Sequence, residues 1–200
     1  MVKDVWPYLT VGVVLTVVLA FLAHPIAAVA AGALTAGVAS FFRDPARLIP
    51  SDPRLILSPA DGKVVRIVDE GGGRCVSIFL SVFNVHVNRS PVEGTVSDIR
   101  YTPGEFVPAF REKASDLNEQ NLITLQSSHG KIGVKQIAGL IARRIRCYKR
   151  AGERVAQGEK IGFITFGSRV DLYLPPEAVL KISIGASVRG GTTVIAVYPA

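Results

Sequence analysis

Two regimes of hydrophobic patterning divide the chain. From Val5 to Phe42 no position carries a charge, a run long enough for one generous transmembrane helix or two short ones. Pro25 disfavours helical geometry at His24, so a break at His24-Pro25 and a tight hairpin are expected. The second half, Ile26 to Phe42, is rich in Ala and Gly, which suits close helix contact. Lys3 precedes the run and Arg43 and Arg47 follow it. Basic flanks at both ends are what a hairpin entering from the cytoplasmic side would carry. A cleaved secretory leader is disfavoured by the length of the run and by Asp4 in what should be a basic stretch. Residues 1–42 are therefore expected to form a hydrophobic membrane anchor of one or two helices, and residues 43–200 a separate domain facing the cytoplasm.

Beyond the breakers Arg43-Asp44-Pro45 and Pro50-Ser51-Asp52-Pro53 the pattern changes to short apolar runs separated by Gly, Pro and Asp. Leu55 to Leu57, Val64 to Val68, Val76 to Leu80, Leu122 to Leu125 and Ile161 to Thr165 have strand length and are rich in β-branched residues. The stretch from Ile137 to Ile145 reads as a weak helix or equally as a strand. Gly152-Glu153-Arg154-Val155-Ala156-Gln157-Gly158 recurs in form as Gly185-Ala186-Ser187-Val188-Arg189-Gly190-Gly191, each followed by an apolar strand. The repeat needs Gly where the chain turns with positive φ and Val where a short strand enters the core. Such paired turns resemble those of the lipoyl and biotinyl carrier domains, so the predicted fold is mainly β and barrel-sandwich-hybrid-like. Neither repeat offers the exposed lysine on which carriers hold their cofactor, so the likeness bears on architecture alone.

The chain has 23 Lys and Arg against 16 Asp and Glu, a formal net charge of +7, and a basic balance calls for an acidic partner. No basic recognition helix or aromatic-interleaved basic motif accompanies it, which turns the reading from nucleic acid to an anionic membrane surface beside the apolar anchor. Arg143, Arg144, Arg146, Lys149 and Arg150 serve equally well as a solvated face. Cys75 and Cys147 stand far apart with no CxxC spacing, which reads as reduced structural thiols and no metal site.

Three segments carry candidate chemistry. In Ser58-Pro59-Ala60-Asp61-Gly62-Lys63-Val64 an acid sits at a turn before a β-branched strand, a place where Asp commonly bonds its own backbone. In Phe79 to Pro91, His86 lies amid apolar residues. Of the other histidines, His24 belongs to the anchor and His129 to a Ser-Ser-His-Gly turn, so His86 is the candidate general acid or base. In Phe163 to Pro175 a Gly167-Ser168 dipeptide interrupts two strand-like runs, a pattern that in isolation marks a hairpin turn.

Together and in this order, the Ala-Asp-Gly turn, the Val-His-Val-Asn-Arg-Ser-Pro run and the Phe-Gly-Ser-Arg-Val site resemble the phosphatidylserine decarboxylase family, in particular its compact bacterial and archaeal members. The likeness runs from about Phe41 to Tyr198 and includes Phe42-Arg43-Asp44-Pro45 and the stretch from Val134 to Arg146. It implies that the Ser168 hydroxyl attacks the Gly167 carbonyl and that the chain parts there into residues 1–167 and 168–200. Ser168 then becomes a covalent pyruvoyl group, the cofactor and electron sink for decarboxylating phosphatidylserine to phosphatidylethanolamine. Asp61 and His86 match the family's charge-relay acid and histidine, with His86 also the expected proton donor in turnover. Where longer bacterial members carry a second histidine three positions earlier, this chain has Phe83, so that residue's role does not transfer. Lys63, Arg89 and Arg169 adjoin the motifs and are candidates for orienting an anionic headgroup, or ordinary surface charges. The implied assembly is a heterodimer of the two cleavage products, with a higher homo-oligomer left open.

Two rivals stand beside this reading. One is the same chemistry on an archaeal ether lipid with a serine headgroup. The other is a non-enzymatic, membrane-tethered adaptor, suggested by the anchor and the repeated turns. It would stay in one piece, and the heptad run of an adaptor's coiled-coil hairpin is absent from the sequence.

Overall fold

A computed structural model describes residues 1, 2, 5–22, 24–104, 118–139, 144–165 and 168–199. The chain divides into two compact units, Met1–Ala46 and Arg47–Ala200. In the first, α1 (Trp6–Phe21) and α2 (Pro25–Phe41) form a helical pair, with Pro25 opening the second helix at its first turn, where a missing N–H costs nothing. The N–H of Val2 donates to the carbonyl of Phe42 at 3.0 Å, so both ends of the pair lie together. At that open end the rings of Tyr8 and Phe42 stack 5.8 Å apart, and Phe41 meets Phe42 edge-on. A Cβ added at Gly12 would strike the Thr35 side chain, so the two backbones approach closely there. Val11, Leu15, Phe21, Ile26, Val29 and Leu34 are exposed. Among the described residues no helix is long and apolar enough to cross a membrane.

The second unit is mainly β and antiparallel throughout the described pairings, in the barrel-sandwich manner. Its large sheet has the order β13 (Ser187–Val188), β2 (Gly62–Glu70), β3 (Gly73–Leu80), β11 (Ser168–Leu174), β7 (Gly130–Ile137), β6 (Gln120–Ser127), β5 (Gly94–Thr102) and β9 (Arg154–Val155). Two three-stranded sheets complete it: β1 (Leu55–Leu57), β14 (Val194–Val197) and β12 (Val179–Leu180); and β4 (Val87–Arg89), β10 (Lys160–Ile164) and β8 (Ile145–Cys147). Alternation along the strands sends Val76, Ile78 and Leu80 of β3 and Val170, Leu172 and Leu174 of β11 into one core.

The five apolar runs expected to be strands fall in β1, β2, β3, β6 and β10, with Thr165 just past the end of the last. Of the ambiguous stretch, Ile137 closes β7 and Ile145 opens β8, while 140–143 lie outside the described residues. Both Gly-framed repeats turn with positive φ at their first and last glycines: +88° at Gly152, +76° at Gly158, +90° at Gly185 and +77° at Gly191. Val155 and Val188 between them are buried in the short strands β9 and β13.

Candidate active site

Two connections cross the same gap. β3 and β11 pair in the large sheet, with Leu80 opposite Ser168. β4 and β10 pair in a small one, with Val87 opposite Phe163. Residues 81–86 lead from β3 to β4, and β10 ends at Ile164 shortly before β11 begins at Ser168, so the chain passes twice between the same two strand pairs. His86 ends the first connection, and Ser168 opens the strand after the second. The N–H of Ile164 donates to the His86 carbonyl at 3.2 Å, and the His86 and Phe163 rings lie 6.5 Å apart.

Local hydrogen bonds shape the His86 side. Ser81 donates both its N–H (2.9 Å) and its hydroxyl (2.7 Å) to Asn84 Oδ1, and the Asn84 N–H returns to the Ser81 carbonyl. The Asn84 carbonyl lies 2.9 Å from His86 Nδ1. A carbonyl only accepts, so Nδ1 carries the hydrogen and Nε2 is the proton-accepting nitrogen of the neutral ring. His86 is fully buried.

Ser168 is also fully buried, and its hydroxyl has no hydrogen-bond partner among the described residues. An unsatisfied buried hydroxyl costs about 1–3 kcal/mol, so such a group in a native core calls for an explanation, of which a catalytic role is one. Its predicted cleavage partner, Gly167, lies outside the described residues, as does Phe166.

Asp61 sits at the turn before β2. Its Oδ2 accepts from Arg47 Nη2 and its Oδ1 from the Gly190 N–H, each at 2.8 Å. The turn is tied to β4, the strand His86 leads into, by the Arg89 N–H donating to the Pro59 carbonyl at 2.9 Å. The structure thus brings the Asp61 turn to the His86 strand while the carboxylate's own bonds go to Arg47 and Gly190. Arg47 was read from the sequence only as an anchor flank.

The three candidate headgroup cations are placed differently. Arg169 is 2% exposed, gripped by both carboxylate oxygens of Asp171 (2.7 and 3.1 Å) and bonded to Ser77 Oγ at 2.7 Å. Arg89 is buried and donates to the Gly158 carbonyl at 3.0 Å. Lys63 is exposed. It stands opposite Phe79, which stands opposite Arg169, so Lys63, Phe79 and Arg169 lie on the sheet face opposite to that of Leu80 and Ser168. The structure does not bring Lys63 or Arg169 together with the serine.

A buried polar line went unread in the sequence. Asn121 Nδ2 donates to Gln136 Oε1 at 2.9 Å, and Gln136 Nε2 donates to Asn88 Oδ1 at 2.8 Å. The available signal was alternation: Gln136 follows Ile132 and Val134 on the inward face of β7, and Asn121 precedes Ile123 and Leu125 on that of β6.

The second unit is therefore a β domain built around a buried serine and histidine at facing strand ends. A family model described as phosphatidylserine decarboxylase matches residues 34–196. Curated relatives named phosphatidylserine decarboxylase proenzyme include one from Burkholderia vietnamiensis, 43% identical over 97% of this chain and 94% of its own length. One from Ralstonia nicotianae is 48% identical over 82% of this chain and 79% of its own, and one from Ralstonia pickettii 44% identical over 97% and 94%. The chain belongs to the phosphatidylserine decarboxylase family, and it is a decarboxylase.

Proposed function

We propose that the chain is a proenzyme that cleaves itself between Gly167 and Ser168 and then converts phosphatidylserine to phosphatidylethanolamine and carbon dioxide. The observation that carries this reading is the buried Ser168 hydroxyl at the head of β11, without a partner among the described residues and across the same gap as His86. His86 Nε2 takes the hydroxyl proton, which a serine must lose to become a nucleophile. Asp61 stays the candidate acid for that histidine by its turn's tie to β4; its carboxylate bonds Arg47 and Gly190, and the Nδ1 hydrogen of His86 goes to the Asn84 carbonyl. Ser168 Oγ then bonds to the residue 167 carbonyl carbon, the C–N bond breaks, and the nitrogen takes the proton. This leaves an ester and a free amine. Loss of the Ser168 α-proton expels the ester oxygen as the new carboxylate of residue 167. Water converts the resulting dehydroalanine to a pyruvoyl group with release of ammonia.

Residue 168 fits that group, since its Oγ has no partner among the described residues and its strand, on the C-terminal side of the cut, is paired with β3 and β7 from the N-terminal side. When formed, the pyruvoyl group supplies a carbonyl electron sink for loss of the substrate carboxylate. Burial of Ser168 and His86 excludes bulk water, and His86 returns a proton to the substrate carbon. The two cleavage products remain one heterodimer because β11, in the short chain, is inserted between two strands of the long one.

The helical pair is the membrane anchor, entering from the cytoplasmic face and leaving by it. Helices of 16 and 17 residues reach about 24–26 Å at 1.5 Å per residue, short of the roughly 30 Å hydrocarbon core. Its aromatic open end, with Trp6, Tyr8, Phe41 and Phe42, suits the headgroup layer. The test of function is carbon dioxide release from phosphatidylserine vesicles. Purified full-length protein is expected to release it and form phosphatidylethanolamine, and Ser168→Ala to do neither. Equal activity in the two proteins would refute the assignment of Ser168.

A further inference from the structure

The Asn121, Gln136 and Asn88 line points one way. Each amide nitrogen donates to the next amide oxygen, so with its Oδ1 occupied by Gln136 the last member, Asn88, turns its Nδ2 onward. All three are buried, Asn88 and Gln136 completely. Asn88 Nδ2 has no hydrogen-bond partner among the described residues. Strand register gives its surroundings. Gln136 stands opposite Val170 of β11, and Ser168, two positions earlier, shares the face of Val170. Asn88 in turn lies two positions after His86. One region of the interior therefore holds an amide N–H donor and a serine hydroxyl that both lack a partner among the described residues, where either alone costs about 1–3 kcal/mol.

We propose that Asn88 is a catalytic residue of self-cleavage: its Nδ2–H donates to the oxygen that becomes negative as Ser168 attacks the peptide carbonyl preceding it. The inference rests on the self-cleavage reading above. As Oγ bonds to the carbonyl carbon, the carbonyl π pair moves onto oxygen and stays there until the C–N bond breaks. A buried donor fixed beforehand stabilises that charge without reorganising. Gln136 and Asn121 are positioning residues. By engaging the Asn88 oxygen they present its nitrogen, and not repelling lone pairs, to the site.

The test follows cleavage of freshly synthesised full-length chain by intact mass, with thermal melting and hydroxylamine treatment alongside. Asn88→Leu, which keeps the number and branching of the side-chain heavy atoms and removes the donor together with the acceptor of Gln136, is expected to slow cleavage about 10²- to 10³-fold, the usual loss for one oxyanion donor. Its uncut chain should still melt cooperatively, somewhat below uncut Ser168→Ala because Gln136 Nε2 loses its acceptor, and resist hydroxylamine, because the ester never accumulates. Gln136→Met, which frees the Asn88 amide to rotate, should slow cleavage to a smaller degree, and it decides the matter if Asn88→Leu does not fold. Wild-type rates in the folded variants, or a hydroxylamine-labile ester building up in them, would overturn the role of Asn88 while leaving self-cleavage standing. Wild-type chain that never parts would overturn self-cleavage and this inference with it.

Discussion

At the scale of single residues, the charged groups that follow the serine on β11 act as one pair. Arg169 and Asp171 project from the same face of β11 and are sealed from water, so their bond holds strand geometry beside the reacting residue. Removing one partner of a buried ion pair strands the other charge, at about 3–5 kcal/mol. Arg169→Met is expected to cost that much in urea unfolding of the uncut Ser168→Ala protein. Arg169→Met combined with Asp171→Leu should regain most of it, and a double variant as unstable as the single would contradict the pairing argument. Cys75 lies on the same face of the neighbouring strand, opposite Tyr173. Burial, then the nearby Asp171 and Glu70 carboxylates, pushes its thiol up to about 12. At neutral pH the folded protein should therefore alkylate with iodoacetamide at half-buried Cys147 and not at Cys75, with both reacting in denaturant. Mass mapping of the two cysteines reads the outcome.

At the scale of elements, β10 is where packing and site meet. A Cβ at Gly162 would sit 2.5 Å from both the Arg146 carbonyl oxygen and Gln136 Nε2, so Gly162→Ala must displace either strand β8 or the amide line. Overpacking of this kind costs about 1–3 kcal/mol. Gly162→Ala is expected to lower the melting temperature and slow chain cleavage together, whereas Gly37→Ala, facing open space in α2, should do neither. Parallel melts and intact-mass time courses would show it. The same strands explain what the sequence disclosed. Short runs rich in β-branched residues marked β1, β2, β3, β6 and β10, and the Gly repeats marked turns because positive φ demands them. His86 and Ser168 were singled out through their motifs, and the structure buries both. The Asn88–Gln136–Asn121 line and the Arg47–Asp61 pair were not, since each joins residues from distant strands or loops, and only register brings such side chains together. Arg169 looked like a surface cation because its partner, Asp171, is paired with it by strand geometry that a linear motif does not display.

At the scale of the whole molecule, a short apolar hairpin and a β domain in a chain of net charge +7 suit an enzyme whose substrate lies in an anionic membrane. Attraction of surface cations to lipid is screened by salt, but burial of apolar side chains is not. Full-length protein is therefore expected to stay on phosphatidylserine-containing vesicles in high salt during sedimentation. Val29→Arg, placing a charge on an exposed site in α2, should weaken that retention, by as much as about 2.5–3.5 kcal/mol if the site lies at full depth. Retention unchanged by Val29→Arg would argue against insertion of the hairpin. The central claim is that Ser168 itself becomes the electron-withdrawing carbonyl, and the mass of the short chain tests it most directly. The account predicts two chains in purified protein. The shorter should span residues 168–200 and be lighter than the encoded peptide by the elements of ammonia. A single chain of full encoded mass that nonetheless decarboxylates phosphatidylserine would contradict it.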